Sequence, residues 1–295
     1  MPYIGRFAPS PTGPLHFGSL LAAVASYCDA RFNQGQWLLR LEDVDRPREI
    51  AGAAQTILQQ LEAFGFEWDG HIWRQSLRDS YYDAALNLLQ NQQLIYPCTC
   101  TRKEIADSSN IIGIDGFVYP KTCLNHAIKP NTACALRMRV DESEITFEDM
   151  IQGKITHKLA SEIGDFVLKR ADNYFTYQLA VVVDDAAQGV THIVRGADLL
   201  NSTPRQIYLQ QRLNLPTPYY AHIPIARNAA GEKLSKQTLA KPIDVTQANL
   251  QIWQALHFLG QQPPANLQDA SLQQLWQWAI KHWNIRAVPS QVSTF

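Results

Sequence analysis

The start of the chain limits the fold more than any other stretch. Tyr3 to Ala8 is a short apolar run, read as a buried strand. Ser19 to Phe32 (SLLAAVASYCDARF) is almost wholly apolar and alanine-rich, read as a buried helix that ends before Asn33 and Gly35. Trp37 to Leu41 (WLLRL) reads as a second strand. Strand, helix and strand at this spacing form a βαβ unit, which requires a parallel sheet with a crossover helix and so an α/β fold. The loop inside the unit lies at the carboxyl edge of that sheet, where open α/β folds bind ligands. It runs through Phe7 to Leu20 (FAPSPTGPLHFGSL). The helix start offers unpaired N–H groups and a partial positive charge, which suit a phosphate. Pro9, Pro11 and Pro14 stiffen the loop, Gly13 and Gly18 let backbone approach a ligand, and His16 can donate to a phosphoryl oxygen.

Beyond this unit, Ile50 to Phe64 and Tyr81 to Leu94 have helical spacing. From Cys98 to about Asn131 the periodicity vanishes and glycine, proline, serine and asparagine are frequent. That stretch reads as an insertion held by something other than an apolar core. Ala135 to Val140 alternates and reads as an edge strand. Asp165 to Lys169 and Phe175 to Val183 read as further strands, the second ending at the ligand edge in Asp184 and Asp185. Thr203 to Leu213 is helical, and Tyr219 to Leu234 reads as two short strands around a turn at Asn228 to Gly231. After Pro242 the pattern is helical and glutamine-rich. Its tryptophans, Trp276 and Trp283 above all, read as core-facing rather than base-stacking, and His157, His192 and His222 as structural.

The 295 residues carry a formal net charge of -1, so any nucleic-acid contact must come from a local patch rather than a global basic field. No apolar run is long enough to span a membrane, and the N-terminus lacks a basic segment followed by an apolar stretch, so a cytoplasmic protein is expected. The five cysteines are an odd number and fit reduced thiols or a metal site. Cys98, Cys100 and Cys123 have the spacing of zinc ligands, with the fourth place open to Cys134 or His126 on chemistry alone. Near the other end, Lys233 to Gln237 (KLSKQ) follows a glycine turn and can neutralise phosphate charge.

In these motifs the sequence resembles the class I aminoacyl-tRNA synthetases. Pro14–Ser19 (PLHFGS) is similar to their first nucleotide motif and Lys233–Gln237 to their second, with Ser19 in place of a second histidine and Gln237 in place of a serine or arginine. Arg6–Gly13 (RFAPSPTG), Arg40–Arg46 (RLEDVDR), Arg74–Arg78 (RQSLR), Tyr177–Asp185 (YQLAVVVDD) and Val194–Asp198 (VRGAD) resemble glutamyl-tRNA synthetases. The stretch after Gln237 is too short for their long helical anticodon-binding region. The likeness is therefore to truncated paralogues that activate glutamate with ATP in the absence of tRNA, then attach it to the queuosine in the anticodon of tRNA(Asp). This implies a Rossmann-type catalytic domain over residues 1–242 with a zinc-bearing insertion at about 97–131, a helical extension over 243–295, and no anticodon-binding domain.

The resemblance also implies a glutamate site at Arg6, Phe7, Ala8, Pro9, Ser10, Glu42, Tyr177 and Arg195. In that site Arg6 and Arg195 face carboxylates, Glu42 faces the ammonium, and Tyr177 is a wall with a hydroxyl. ATP, with Mg²⁺, falls to His16, Gly18, Ser19, Lys233 and Lys236, of which His16 and Lys236 are the catalytic pair. One structural Zn²⁺ falls to Cys98, Cys100, Cys123 and Tyr119. The partners implied are glutamate, ATP and queuosine-bearing tRNA(Asp), with no membrane, and a monomer is expected. The same features also suit a minimal glutamyl-tRNA synthetase that charges a tRNA 3' end, or a non-catalytic paralogue that binds tRNA.

Overall fold

The computed structural model describes residues 2–129, 131–226 and 241–290. Strand β1 (Ile4–Phe7), helix α1 (Phe17–Phe32) and strand β2 (Gln36–Leu41) form the expected unit, with β1 and β2 parallel. Helix α2 (Ala53–Ala63) returns the chain to β3 (Trp73–Arg74), which pairs in parallel with β2, and α3 (Asp79–Asn91) follows. Strand β4 (Ile95–Cys98) leads into the insertion. There, α4 (Arg102–Ser108) begins at a capping box of Thr101 and Glu104, and β5 (Ile112–Gly113) and β6 (Gly116–Phe117) make a small hairpin. The chain returns through β7 (Ala135–Met138), the hairpin of β8 (Glu144–Asp149) and β9 (Gly153–Lys158), and β10 (Phe166–Lys169). Helix α5 (Tyr177–Ala187), β11 (His192–Gly196), α6 (Thr203–Arg212) and β12 (Tyr219–Ile223) follow. Helices α7 (Ala248–Phe258) and α8 (Leu272–His282) lie last.

Strands β11, β12 and β8 are mutually parallel neighbours, with β9 antiparallel on the outside. The Thr191 N–H donates to Ile4 O (2.9 Å), which seats the start of β11 beside β1. The carboxyl ends of β1, β2, β11 and β12 therefore open on the same side.

Two sequence expectations fail. Ala135 to Val140 is not an edge: β7 sits between β4 and β10. Phe175 to Val183 is not a strand: helix α5 occupies Tyr177–Ala187, and Asp184 and Asp185 lie on it. The helix buries Leu179, Ala180, Val181, Val182 and both aspartates, so it shows a continuous apolar run instead of an amphipathic stripe. Such a run with three successive valines looks like a buried strand, and tertiary packing overrides that propensity. The β8–β9 hairpin and β11 gave no clear signal. Of the paired strands expected around Asn228–Gly231, β12 is present, and the second lies outside the described residues.

One apolar core joins β1, α1 and β2 to the two last helices. Trp37 is fully buried, stacked on Phe66 with ring centroids 5.5 Å apart, and Tyr27 packs edge-on to Trp37, Phe66 and Trp276. Trp276 donates to Phe64 O (2.9 Å) and Trp283 to Asp29 Oδ1 (2.9 Å), so both are buried core residues with satisfied N–H groups. A ring of this kind removes roughly 150–250 Å² from water, about 4–6 kcal/mol at ~25 cal/mol/Å² before entropy is charged against it. A second core lies among α3, α5, α6 and strands β7, β8, β10, β11 and β12, and a small third one surrounds Tyr96, Cys98, Tyr119 and Cys123. Among the described residues no helix is long and apolar enough to cross a membrane.

Candidate functional site

A cavity of about 280 Å³ opens at the carboxyl ends of the parallel strands. The end of β1 and the loop after it contribute Arg6, Phe7, Ala8, Pro9 and Ser10; Glu42 follows β2; Arg195 ends β11; Tyr177 starts α5; and His16, Gly18 and Ser19 form the start of α1. The cavity thus gathers every expected glutamate-site residue and the expected phosphate-side residues of the first loop. Lys233 and Lys236 lie outside the described residues.

The loop is fixed by its own backbone. Gly13 has φ +136°, a region that favours glycine. Glu42 N donates to Pro9 O (3.0 Å), Ile50 N to Pro11 O (3.1 Å), and Ile243 N to Leu15 O (2.9 Å). His16 is the N-cap of α1, and its Nδ1 accepts from Ser19 N (3.3 Å). A neutral imidazole that accepts on Nδ1 carries its proton on Nε2, so that nitrogen is a donor.

On one wall, Arg6 forks onto Asp185 (Nε–Oδ1 3.2 Å, Nη2–Oδ2 3.3 Å). Arg40, fully buried, donates through Nη2 to Asp185 Oδ1 (2.7 Å) and Glu42 Oε1 (3.3 Å), and through Nη1 to Gln188 Oε1 (2.7 Å). Burial disfavours the charge on Asp185, but Arg40 and Arg6 outweigh it and hold the carboxyl below its ordinary value. For Glu42 the balance falls the other way: burial pushes its carboxyl up against the pull of Arg40 and Arg6. Glu42 is paired with Arg40, not with Arg46 or Arg48 of the following turn.

Also lining the cavity, Arg195 donates to Tyr177 OH (Nη1, 3.0 Å), Thr203 Oγ1 (Nη2, 2.9 Å) and His222 Nε2 (Nε, 3.0 Å). His222 in turn meets Asp149 through Nδ1 (2.6 Å). Sequence reasoning named Arg195 and Tyr177 but missed Asp149 behind them, and it named Glu42 but gave Arg40 and Gln188 no role. Asp149 and Gln188 meet partners distant in sequence, and Arg40, although two residues from Glu42, is held by Asp185 and Gln188 of a remote helix and its end.

The segment Arg74 to Arg78 does not line the cavity. Gln75 (3.0 Å), Arg78 (2.6 Å) and Tyr82 (2.7 Å) all donate to the Asp184 carboxylate, and Ser76 binds Asp43 through N and Oγ (2.7 Å each). Asp184 and Asp185, expected at a strand end where they could position substrate, instead lie next to each other on one helix, Asp184 meeting half-buried Arg78 and Asp185 meeting buried Arg6 and Arg40.

In the insertion, the sulfurs of Cys98, Cys100 and Cys123 lie within 4.8 Å of one another, with Cys100 and Cys123 3.4 Å apart. The Tyr119 hydroxyl stands 3.3 Å from Cys98 Sγ and 3.5 Å from Cys100 Sγ, and it accepts from Cys123 N (2.9 Å). Arg137 lies 4.0 Å over the Tyr119 ring. Burial disfavours thiolates here, yet contacts with Tyr119, Thr99 and Cys100 bring the Cys123 thiol down to about 6, while burial lifts Cys100 to about 11. Three converging cysteine sulfurs are a donor set that suits zinc, and the Tyr119 hydroxyl is the further polar atom beside them. Cys134 and His126 do not join it, and His126 is bonded to Thr122 O.

Such a strand-edge cavity, with a stiff loop and a helix start on one side, defines a nucleotide-using α/β enzyme. Residues 4–258 match the family of class I tRNA synthetases (E and Q), catalytic domain, and the chain belongs to that family. Enzymes of this class use ATP with Mg²⁺. Two curated relatives are named glutamyl-Q tRNA(Asp) synthetase. The chain is 55% identical over 291 residues to that of Dechloromonas aromatica, covering 98% of this chain and 97% of the relative. It is 53% identical over 295 residues to that of Neisseria meningitidis serogroup C, covering 99% of each. With relatives this similar along nearly the whole chain, the protein is an enzyme, a synthetase-type ligase. A glutamate-tRNA synthetase of Elizabethkingia anophelis has the same fold (TM-score 0.79, 24% identity, 98% of this chain and 67% of that one).

Proposed function

We propose that this enzyme forms glutamyl-adenylate from glutamate and ATP without tRNA, then transfers glutamate to the queuosine in the anticodon of tRNA(Asp). The observation that carries the reading is the charge pattern of the cavity. Two buried arginines, Arg6 and Arg195, and one buried acid, Glu42, converge there. Glutamate has two carboxylates and one ammonium, the complement of that set. Arg6 and Arg195 take the carboxylates, Glu42 the ammonium, and Phe7 to Ser10 with Tyr177 form the walls. The names of the close relatives support the same substrate and acceptor.

The α-carboxylate attacks the α-phosphorus of ATP in line and pyrophosphate leaves. Alignment and charge neutralisation supply most of the acceleration. The start of α1, with Gly18, Ser19 and the Nε2–H of His16, faces the phosphates; Lys233 and Lys236 add positive charge. Removing a charge-stabilising group such as Lys236 is expected to cost about 3 kcal/mol in the barrier. In the second step a queuosine hydroxyl attacks the mixed anhydride and AMP leaves, its phosphate taking the proton. Zinc would be held by Cys98, Cys100, Cys123 and Tyr119, where it folds the insertion and takes no part in either step. We take the catalytic domain as 1–242 and the helical extension as 243–295, in a monomeric cytoplasmic protein.

The test supplies ATP, labelled glutamate and queuosine-containing tRNA, intact or trimmed of its 3' terminal adenosine. Labelling of trimmed tRNA is expected. Loss of labelling on trimming would mean an enzyme that charges 3' ends. No labelling of either tRNA, with no glutamate-dependent exchange of pyrophosphate, would mean a non-catalytic paralogue.

A further inference from the structure

We infer that His222 and Asp149 are positioning residues for substrate recognition: they lock the Arg195 guanidinium in the orientation in which it meets a carboxylate in the cavity. The inference rests on the proposed role of Arg195 as a carboxylate ligand.

Three adjacent parallel strands deliver the parts. Arg195 on β11 is in register with His222 on β12, and Asp149 ends β8, the next strand, opposite Tyr220. Asp149 is itself pinned. Its Oδ1 accepts the backbone N–H groups of Ile151 (3.0 Å), Gln152 (2.9 Å) and His222 (3.1 Å). Its Oδ2 is then left to meet His222 Nδ1 at 2.6 Å. Both side chains are fully buried. Burial, with the positive charge of Arg195 beside it, holds His222 neutral and takes its value down to about 4 despite Asp149. A neutral ring that donates from Nδ1 to a carboxylate presents a lone pair on Nε2. That lone pair accepts Arg195 Nε–H at 3.0 Å.

The rest of the guanidinium is equally constrained. Nη2 donates to Thr203 Oγ1 and toward Leu199 O, and one Nη1 hydrogen donates to Tyr177 OH. Of the five N–H bonds of an arginine, this leaves the second Nη1 hydrogen to serve a ligand in the cavity. A guanidinium rotated about its stem would withdraw that hydrogen, and the imidazole on Nε blocks the rotation. Thr203 Oγ1 also lies 3.2 Å from His222 Nε2, closing the ring of contacts. Orienting partners of this kind act by roughly 10- to 100-fold on affinity at metal sites, and the same order is expected here.

The test measures glutamate-dependent pyrophosphate exchange with the full-length protein, which needs no tRNA. His222→Gln keeps an acceptor for Arg195, whereas His222→Asn keeps only the contact with Asp149. The expected result is a KM for glutamate raised about tenfold or more in His222→Asn, near wild type in His222→Gln, with the KM for ATP unchanged in both. A purely structural histidine would not separate the two amides or the two substrates. Equal glutamate KM values for His222→Gln and His222→Asn would overturn the inference. Arg195→Lys is run beside them: if it leaves the glutamate KM at the wild-type value, the carboxylate role of Arg195 fails instead.

Discussion

At the scale of single residues, the cavity works by setting burial against charge. Glu42 is raised by burial and held back only in part by Arg40 and Arg6, so its ionised form awaits a cation. An ammonium bound beside it would favour that form. Glutamate affinity should therefore be full above the raised value of Glu42 and fall as the pH drops through it, beginning above the ordinary carboxylate range. In Glu42→Gln that inflection should vanish from a pH profile of kcat/KM for glutamate, and KM at neutral pH should rise at least tenfold, about 1.4 kcal/mol. The residues that face the cavity were legible in the sequence because each lies in a short motif: Arg6 in RFAPSPTG, Glu42 in RLEDVDR, Arg195 in VRGAD. Their supports were not. Asp185 looked like a strand end and His222 like an ordinary core histidine, since which side chain meets which is decided by packing between remote segments.

At the scale of elements, α5 is the misreading that matters most to the site. Its Asp185 is the shared counter-ion of two buried arginines. Asp185→Asn would leave both charges poorly compensated, and a loss of about 3–5 kcal/mol in urea unfolding is expected, with glutamate exchange impaired as Arg6 loosens. The insertion was legible in a different way. Its lack of periodicity said that no apolar core holds it, and the structure puts three thiols and a phenol at its centre. With zinc held as proposed, stripping it with a chelator should open the 98–123 segment to proteolysis while the βαβ unit stays protected from hydrogen exchange. Tyr119→Phe should lower metal affinity and leave the fold of the first core intact. An unaltered proteolysis pattern after complete metal removal would show that the insertion folds without it.

At the scale of the whole molecule, the last two helices are part of the first core rather than an appendage. Trp276→Ala should cost about 3–5 kcal/mol of global stability, read by denaturant unfolding, with the glutamate KM little changed. Acid should also weaken the fold through His222. Its folded value of about 4 lies below the ordinary 6.5, so the unfolded chain binds a proton that the folded one refuses. The stability it contributes is complete above 6.5 and is lost as the pH falls toward 4, on the order of 3 kcal/mol in all. Glu42 and Asp29, both raised by burial, act in the opposite sense just above their ordinary values, so comparison with His222→Gln is needed to isolate the histidine. The class of fold was readable from the first forty residues because a βαβ unit admits few completions; the order of the later strands was not, because β8, β9 and β11 are half-polar and short. One consequence of α5 reaches beyond the present substrate. Because Asp185 neutralises Arg6 and Arg40 together out of water, a descendant enzyme drifting toward an uncharged amino acid could shed Arg6 and leave the aspartate to Arg40, whereas losing the aspartate first would strand two arginines. The order of changes is therefore constrained, the arginine before the aspartate, which narrows the routes by which the preference for an acidic substrate could be lost.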